Sequence, residues 1–157
     1  PMEVNIGILP NNRDAVSKLL NLLLCNEYVL LVKTKNYHWN VTGMNFNDLH
    51  LFFDKQYGEL LDIVDEAAER VRALGNYSFG TMKAFIEYAQ IKEHMGDIPT
   101  EKVMIKNLLD DHETVIKLIR EYIKKTSEFA DDGTNNFLCD LIEKHEKMAW
   151  MLRSYIA

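Results

Sequence analysis

The chain has 157 residues, 47% of them hydrophobic and 27% charged, with a formal net charge of −6. That length makes one domain, residues 1–157, with room for a good core, and the composition is that of an ordinary soluble globular protein. The negative charge argues against a general nucleic-acid role and suits the attraction of cations. No apolar run approaches the roughly 18 residues of a membrane span, and no basic-then-apolar leader opens the chain, so no membrane association is expected.

Residues 1–10 read as a short extended arm. Asn11 and Asn12 offer a helix cap, and a long helix follows to about Trp39, with Val16, Leu19, Leu20, Leu23, Leu24, Leu30 and Leu31 on its apolar face. Residues 40–45, with Gly43, make a tight connection. A second helix over residues 47–74 follows from apolar residues at three- and four-residue steps: Leu49, Phe53, Leu60, Val64, Ala67 and Val71. Gly75 stops it. The short connection makes the two helices antiparallel neighbours.

Residues 76–99 form a longer link with a short helix over 82–90. In a four-helix chain such a link can cross the whole bundle, which is the ferritin-like topology. Thr100 caps a third long helix to about Phe129. Asp131, Asp132 and Gly133 make a turn, and a fourth helix runs over 134–155. The expected fold class is all-α: a four-helix bundle with a short extra helix in the link between helices 2 and 3. Cys25 and Cys139 lack metal-type spacing and sit among apolar neighbours, so both read as reduced, buried thiols of a cytoplasmic protein.

The chemistry gathers on the second helix. At about 100° per residue, Asp54 lies roughly 40° round from His50, Asp65 roughly 60° and Glu69 roughly 100°. One imidazole and three carboxylates share a stripe bordered by Tyr57, Leu61 and Ala68, a donor set that suits iron, zinc or manganese. Asp54 and Asp65 are eleven residues apart, roughly 16 Å along a helix, so one chain cannot offer both to one ion. Two antiparallel copies about a two-fold axis can, and Gly58, near the midpoint, suits close approach there. Spacing alone leaves this reading and an ordinary solvated acidic face both open.

At these residues the sequence resembles the Dps family (DNA-binding protein from starved cells, the miniferritins). The family's ferroxidase motif is a His, a second His twelve residues on, an Asp four later, an Asp eleven later and an acid four later. Here that is His38, His50, Asp54, Asp65 and Glu69, without departure. The segments over 33–41 and 67–75 also look like this family, and the resemblance spans essentially the whole chain. It implies that the first three residues come from one subunit and the last two from its two-fold partner. It implies oxidation of Fe(II), preferably by hydrogen peroxide and less well by oxygen. Fe(III) mineral would be stored in a hollow dodecamer, protecting the cell from oxidative damage.

The residues three before the five histidines are Lys35, Asn47, Ile91, Leu109 and Ile142. None is Glu, so the Glu-x-x-His pattern of a di-iron site inside one bundle is missing. There is no His-Glu-x-x-His for a zinc protease either.

Other residues carry weaker expectations. Glu59, Asp62 and Glu66 suit either a cavity lining or a solvated face. The resemblance puts acids near the start of the last helix at the three-fold pores, making Asp131, Asp132 and Asp140 candidates, while Asn136 falls where many relatives have an acid. Trp39 beside the first ligand can take up an oxidising equivalent or serve as a core aromatic at the helix end, the reading preferred. His94, His112 and His145 sit among acids and read as surface histidines.

The opposing reading is a non-catalytic helical oligomer, such as a DNA-compacting nucleoid protein. Residues 1–13 hold one Arg, one Glu and no Lys, so the salt-dependent phosphate attraction has no basic arm as its source. A gel shift should therefore show weak or no DNA retention at physiological salt; retention that survives both low and moderate salt would overturn this expectation.

Overall fold

The computed structural model describes residues 3–157. Five helices follow in order: α1 (Pro10–Asn40), α2 (Phe46–Ala73), α3 (Met82–Tyr88), α4 (Glu101–Glu128) and α5 (Asp132–Ile156). No strand occurs among the described residues. This is the expected all-α bundle with one short helix in the link.

The four long helices bury a continuous interior of Leu, Ile, Val, Phe and Met side chains from Val16 to Leu152. α1 and α2 form one antiparallel hairpin, α4 and α5 another. The link between them runs the length of the bundle. It leaves α2 where Gly75 lies against Val4 and Arg13, and it reaches α4 where Glu101 accepts from Asn45 Nδ2 at 2.8 Å. α1 pins this link at successive points. Asn21 accepts from Phe79 N and donates to the Tyr77 carbonyl. Asn26 Oδ1 takes the Gln90 and Ile91 amides. Lys33 donates to the Lys92 carbonyl, and the Tyr37 hydroxyl meets His94 Nδ1 at 2.9 Å. Between them, Tyr28 stacks on Phe85 of α3 at 4.3 Å.

Element ends differ from expectation for identifiable reasons. α1 starts at Pro10 without a side-chain cap, because proline's fixed φ is already helical at the first position; Asn11 and Asn12 lie inside the first turn. The N-terminal arm is irregular over residues 3–9, and residues 1 and 2 lie outside the described residues. α3 stops at Tyr88 rather than Gln90, since Asn26 of α1 captures the next amides. α2 closes as expected on Gly75, at φ +96°: Gly75 N bonds Arg72 O and Asn76 N bonds Val71 O, a Schellman ending. Thr100 caps α4 by accepting from Val103 N.

Several side chains lie elsewhere than the sequence suggested. His112 and His145 are fully buried, not surface histidines; each stands at helical spacing among apolar residues (Leu108, Leu109 and Val115; Leu141, Ile142 and Met148), so its flanking acids turn outward while the ring turns in. Trp39 is 66% exposed rather than a core aromatic, because α1 rotates its last turn to bury Tyr37 and His38 instead. Cys25 is buried, its thiol pushed up to about 11 by desolvation, whereas Cys139 is only half-buried. α1 also holds an 18-residue window of mean hydropathy 1.5, long and apolar enough to cross a membrane by composition, which the longest unbroken apolar run understated. In the fold 67% of that window is buried as the central core helix.

Asp131 is also not a pore-facing acid: it is 1% exposed. Its Oδ1 accepts from Thr134 N at 2.9 Å and Arg70 Nη2 at 3.1 Å, and Oδ2 from the Thr134 hydroxyl at 2.6 Å. It caps α5 and ties that helix start to the end of α2. Loss of a cap costs about 1 kcal/mol, and loss of a buried charged hydrogen bond a further 1–3 kcal/mol. Asp131→Ala should therefore lower stability in denaturant titrations by about 2–4 kcal/mol, while Asp132→Ala, at an exposed position, should change it by less than about 0.5 kcal/mol.

Candidate metal centre

The short connection between α1 and α2 brings His38 and His50 face to face. Their rings stack with centroids 3.9 Å apart and planes 13° from parallel. His38 Nδ1–H donates to the His50 carbonyl at 2.6 Å, and His50 Nδ1–H donates to the His38 carbonyl at 2.8 Å. A carbonyl can only accept, so this reciprocal pair fixes the Nδ1–H tautomer as the neutral form of each ring. Each Nε2 then keeps its lone pair. Main-chain carbonyls hold ligating histidines in other metal sites in this way, fixing tautomer and ring orientation. Phe46 stacks on the other side of His50 at 5.1 Å.

Asp54, one turn along α2, joins them. Its Oδ1 is 3.7 Å from His38 Nε2 and 3.2 Å from Lys35 Nζ. The Lys35 ammonium sits 4.1 Å from the Tyr57 ring centroid and 5.7 Å from that of Trp39. A stacked pair of imidazoles, a carboxylate beside one of them and a compensating cation thus lie where α1 ends and α2 begins. The sequence reading did not single out Lys35, although its place one turn before His38 and Trp39 is the signal that would have found it.

Asp65 and Glu69 lie on the same exposed side of α2 but further along it, and neither makes a salt bridge or side-chain hydrogen bond among the described residues. From Asp54 to Asp65 the helix rises roughly 16 Å. Among the described residues, no three His, Cys, Asp or Glu side chains of the chain stand where they would hold one ion. The chain sets His38 against His50 on one side and Asp54 on the other, short of a three-ligand site, and keeps Asp65 and Glu69 further along α2. The same side of α2 exposes Leu51 at 58%, next to His50, and Leu61 at 46%, between the two groups. A groove of about 450 Å³ beside Asp65 is walled by Leu24, Tyr28, Leu61 and Phe85. At Gly58, midway, an added Cβ would meet nothing within 4 Å.

Of the weaker candidates, Asp62, Glu66, Asp132 and Asp140 are exposed, and Glu59 is half-exposed. Glu66 Oε2 lies 4.0 Å from Lys144 of α5.

The profile of the ferritin-like domain matches residues 17–157. A low-temperature-induced protein of Nostoc is 46% identical over 98% of this chain and 86% of its own length. A DNA protection during starvation protein of Brevibacillus brevis is 34% identical over 92% of this chain and 96% of its own. Among solved structures, the Dps protein of Vibrio cholerae, described as a member of a broad superfamily of ferritin-like diiron-carboxylate proteins, superposes with a TM-score of 0.93 at 30% identity; the match covers 100% of this chain and 99% of that one. DpsC of Streptomyces coelicolor superposes with a TM-score of 0.96 at 28% identity, over 99% of this chain and 91% of that one. With the ferritin-like profile covering most of its length and relatives above 30% identity spanning nearly all of it, the chain belongs to the Dps family of ferritin-like proteins.

Proposed function

We propose that this protein is a ferroxidase and iron store whose reaction site is completed between two subunits. The observation that carries the reading is the reciprocal His38–His50 lock: it commits both Nδ1 atoms to the main chain and sets His38 Nε2 3.7 Å from Asp54, on the side of α2 that also bears Asp65 and Glu69. His38, His50 and Asp54 of one subunit hold Fe(II) together with Asp65 and Glu69 of the antiparallel partner. The exposed Leu51 and Leu61 and the open space over Gly58 support a second α2 packing there.

Iron is the substrate. Two Fe(II) each give up one electron; hydrogen peroxide takes both, its O–O bond breaks, and with two protons it leaves as two waters. The neutral imidazoles bind without adding charge, and the carboxylates favour the Fe(III) product. Lys35 holds Asp54 by an ion pair and yields it to a stronger cation. As the family resemblance implies, the protein assembles as a cytoplasmic dodecamer, prefers peroxide to oxygen, and collects ferric mineral in the central cavity. Glu59, Asp62 and Glu66 line that cavity, and Asp132 and Asp140 flank the iron entry pores. The net charge of −6 keeps DNA binding weak.

Fe(II) added anaerobically to metal-free protein, followed by peroxide, should give fast ferric absorbance and a soluble product. His50→Ala/Asp54→Ala should fall to the rate of buffer. If the site is shared, that variant and Asp65→Ala/Glu69→Ala, each inactive, should recover about a quarter of wild-type activity when unfolded together and reassembled, since half of random pairs are mixed and each mixed pair rebuilds one of its two sites. No recovery would remove the shared site, and oxidation at the buffer rate in wild type would leave a non-catalytic oligomer.

The interface can be tested without iron. Gly58→Ala should raise subunit stability by up to about 1 kcal/mol through helix propensity. Gly58→Trp should leave helix content unchanged but split the pair in sedimentation velocity. An intact assembly with Trp at position 58 would move the two-fold contact elsewhere.

A further inference from the structure

The middle of the bundle holds a second group of ionisable side chains, separate from the candidate metal centre. Glu27 of α1, His112 of α4 and His145 of α5 are each 0% exposed. His145 Nε2 meets Glu27 Oε1 at 2.6 Å, and His145 Nδ1 meets His112 Nδ1 at 2.9 Å. The chain of contacts starts at Glu27 Oε2 and ends at His112 Nε2, both buried without a partner. α2 sends Gln56 into the same interior; its amide donates to the Met148 carbonyl, one turn along α5 from His145.

We propose that Glu27, His145 and His112 form an acid-sensitive lock that joins the two helical hairpins from inside the bundle. The argument rests on counting protons. A contact between two imidazole nitrogens at 2.9 Å needs one hydrogen between them, donated by one ring and accepted by the other. The Glu27 carboxylate accepts from His145 Nε2–H. With one hydrogen between the two Nδ1 atoms, the pair holds at most three ring protons, so at most one of the two rings is an imidazolium. A fourth ring proton would set two N–H groups against each other and place two imidazolium ions side by side in a dry interior. Burial, and then the neighbouring His145, hold the His112 ring well below its ordinary 6.5.

Nothing else nearby offsets that extra charge. Gln56 is uncharged. The adjacent Asp111 is largely buried but is paired with Lys33 at 2.8 Å, Glu113 and Glu146 are turned to Arg153 and Arg120 at the surface, and Glu66 of α2 to Lys144. Among the described residues, the other buried carboxyl and imidazole groups are His38 and Asp131, at opposite ends of the bundle. The sign follows. The unfolded chain protonates both rings below about 6.5 and the folded pair refuses at least one of those protons, so stability is intact above that pH and is lost as pH falls. One refused proton weakens the folding equilibrium about tenfold per pH unit. The refused proton falls between His112 of α4 and His145 of α5, so acid loosens the second hairpin at the point where Glu27 ties it to α1.

The test is thermal unfolding of the metal-free protein by circular dichroism, from pH 8 to pH 5, for wild type and His112→Asn. The Asn amide reaches the place of Nδ1–H but does not titrate. Wild type should lose about tenfold more of its folding equilibrium per pH unit below about 6.5 than the variant does; parallel curves would overturn the lock. If His112→Asn does not fold, ring-nitrogen NMR of wild type decides. One of the two facing Nδ1 atoms should stay unprotonated at every pH where the fold persists. Both rings reaching full protonation in the folded protein would sink the proposal.

Discussion

A straight helix rises about 1.5 Å per residue, and the rest of the site depends on that constraint. α2 carries Asp54 and Asp65 on one side, eleven residues apart, within one unbroken helix. No rotamer spans roughly 16 Å. The chain assembles two imidazoles and one carboxylate at the start of α2 and leaves two carboxylates near its end. Any single ion that uses both groups must be reached by two chains running in opposite directions. The surface along that side fits that demand, with exposed leucines and a glycine over which nothing packs.

The two histidines are organised by the backbone before any cation is involved. The His38 and His50 rings are held by each other's carbonyls, so the geometry of the α1–α2 connection sets the tautomer. That geometry depends in turn on the two helices being packed in register, with Tyr37 and Phe53 fully buried beneath the junction. Lys35 supplies the positive charge that holds Asp54 within reach of His38. An ion pair of this kind, half open to water, is weak, so it positions the carboxylate without competing strongly for it.

Elsewhere the bundle uses polar side chains to decide which apolar surfaces meet. Asn21, Asn26, Lys33 and Tyr37 fasten the crossing link along one edge of α1, and this carries the chain from one end of the bundle to the other and delivers α4 beside α1. The Glu27–His145–His112 chain then ties α1 to both helices of the second hairpin. Apolar burial drives the helices together but is non-directional; hydrogen bonds that must be satisfied inside a dry core select one register, at the risk of a large penalty when a partner is lost.

Much of this was legible in the residues. Periodicity located four long helices, the capping residues Thr100 and Gly75 marked ends that the fold keeps, and the spacing of His50, Asp54, Asp65 and Glu69 already required a second chain for any shared ion, because rise and rotation per residue are properties of the helix alone. What the sequence could not decide were interactions between elements distant along the chain. Asn26 shortens α3 from more than sixty residues away. Asp131 looked like an exposed turn acid until Arg70 came to meet it. His112 and His145 looked like surface histidines among acids, although their three- and four-residue apolar neighbours already favoured the interior. Only the packing of α4 on α5 and of both on α1 turned those two rings toward each other and toward Glu27, because a buried imidazole's partner is set by which helix faces it, not by what precedes it in the chain.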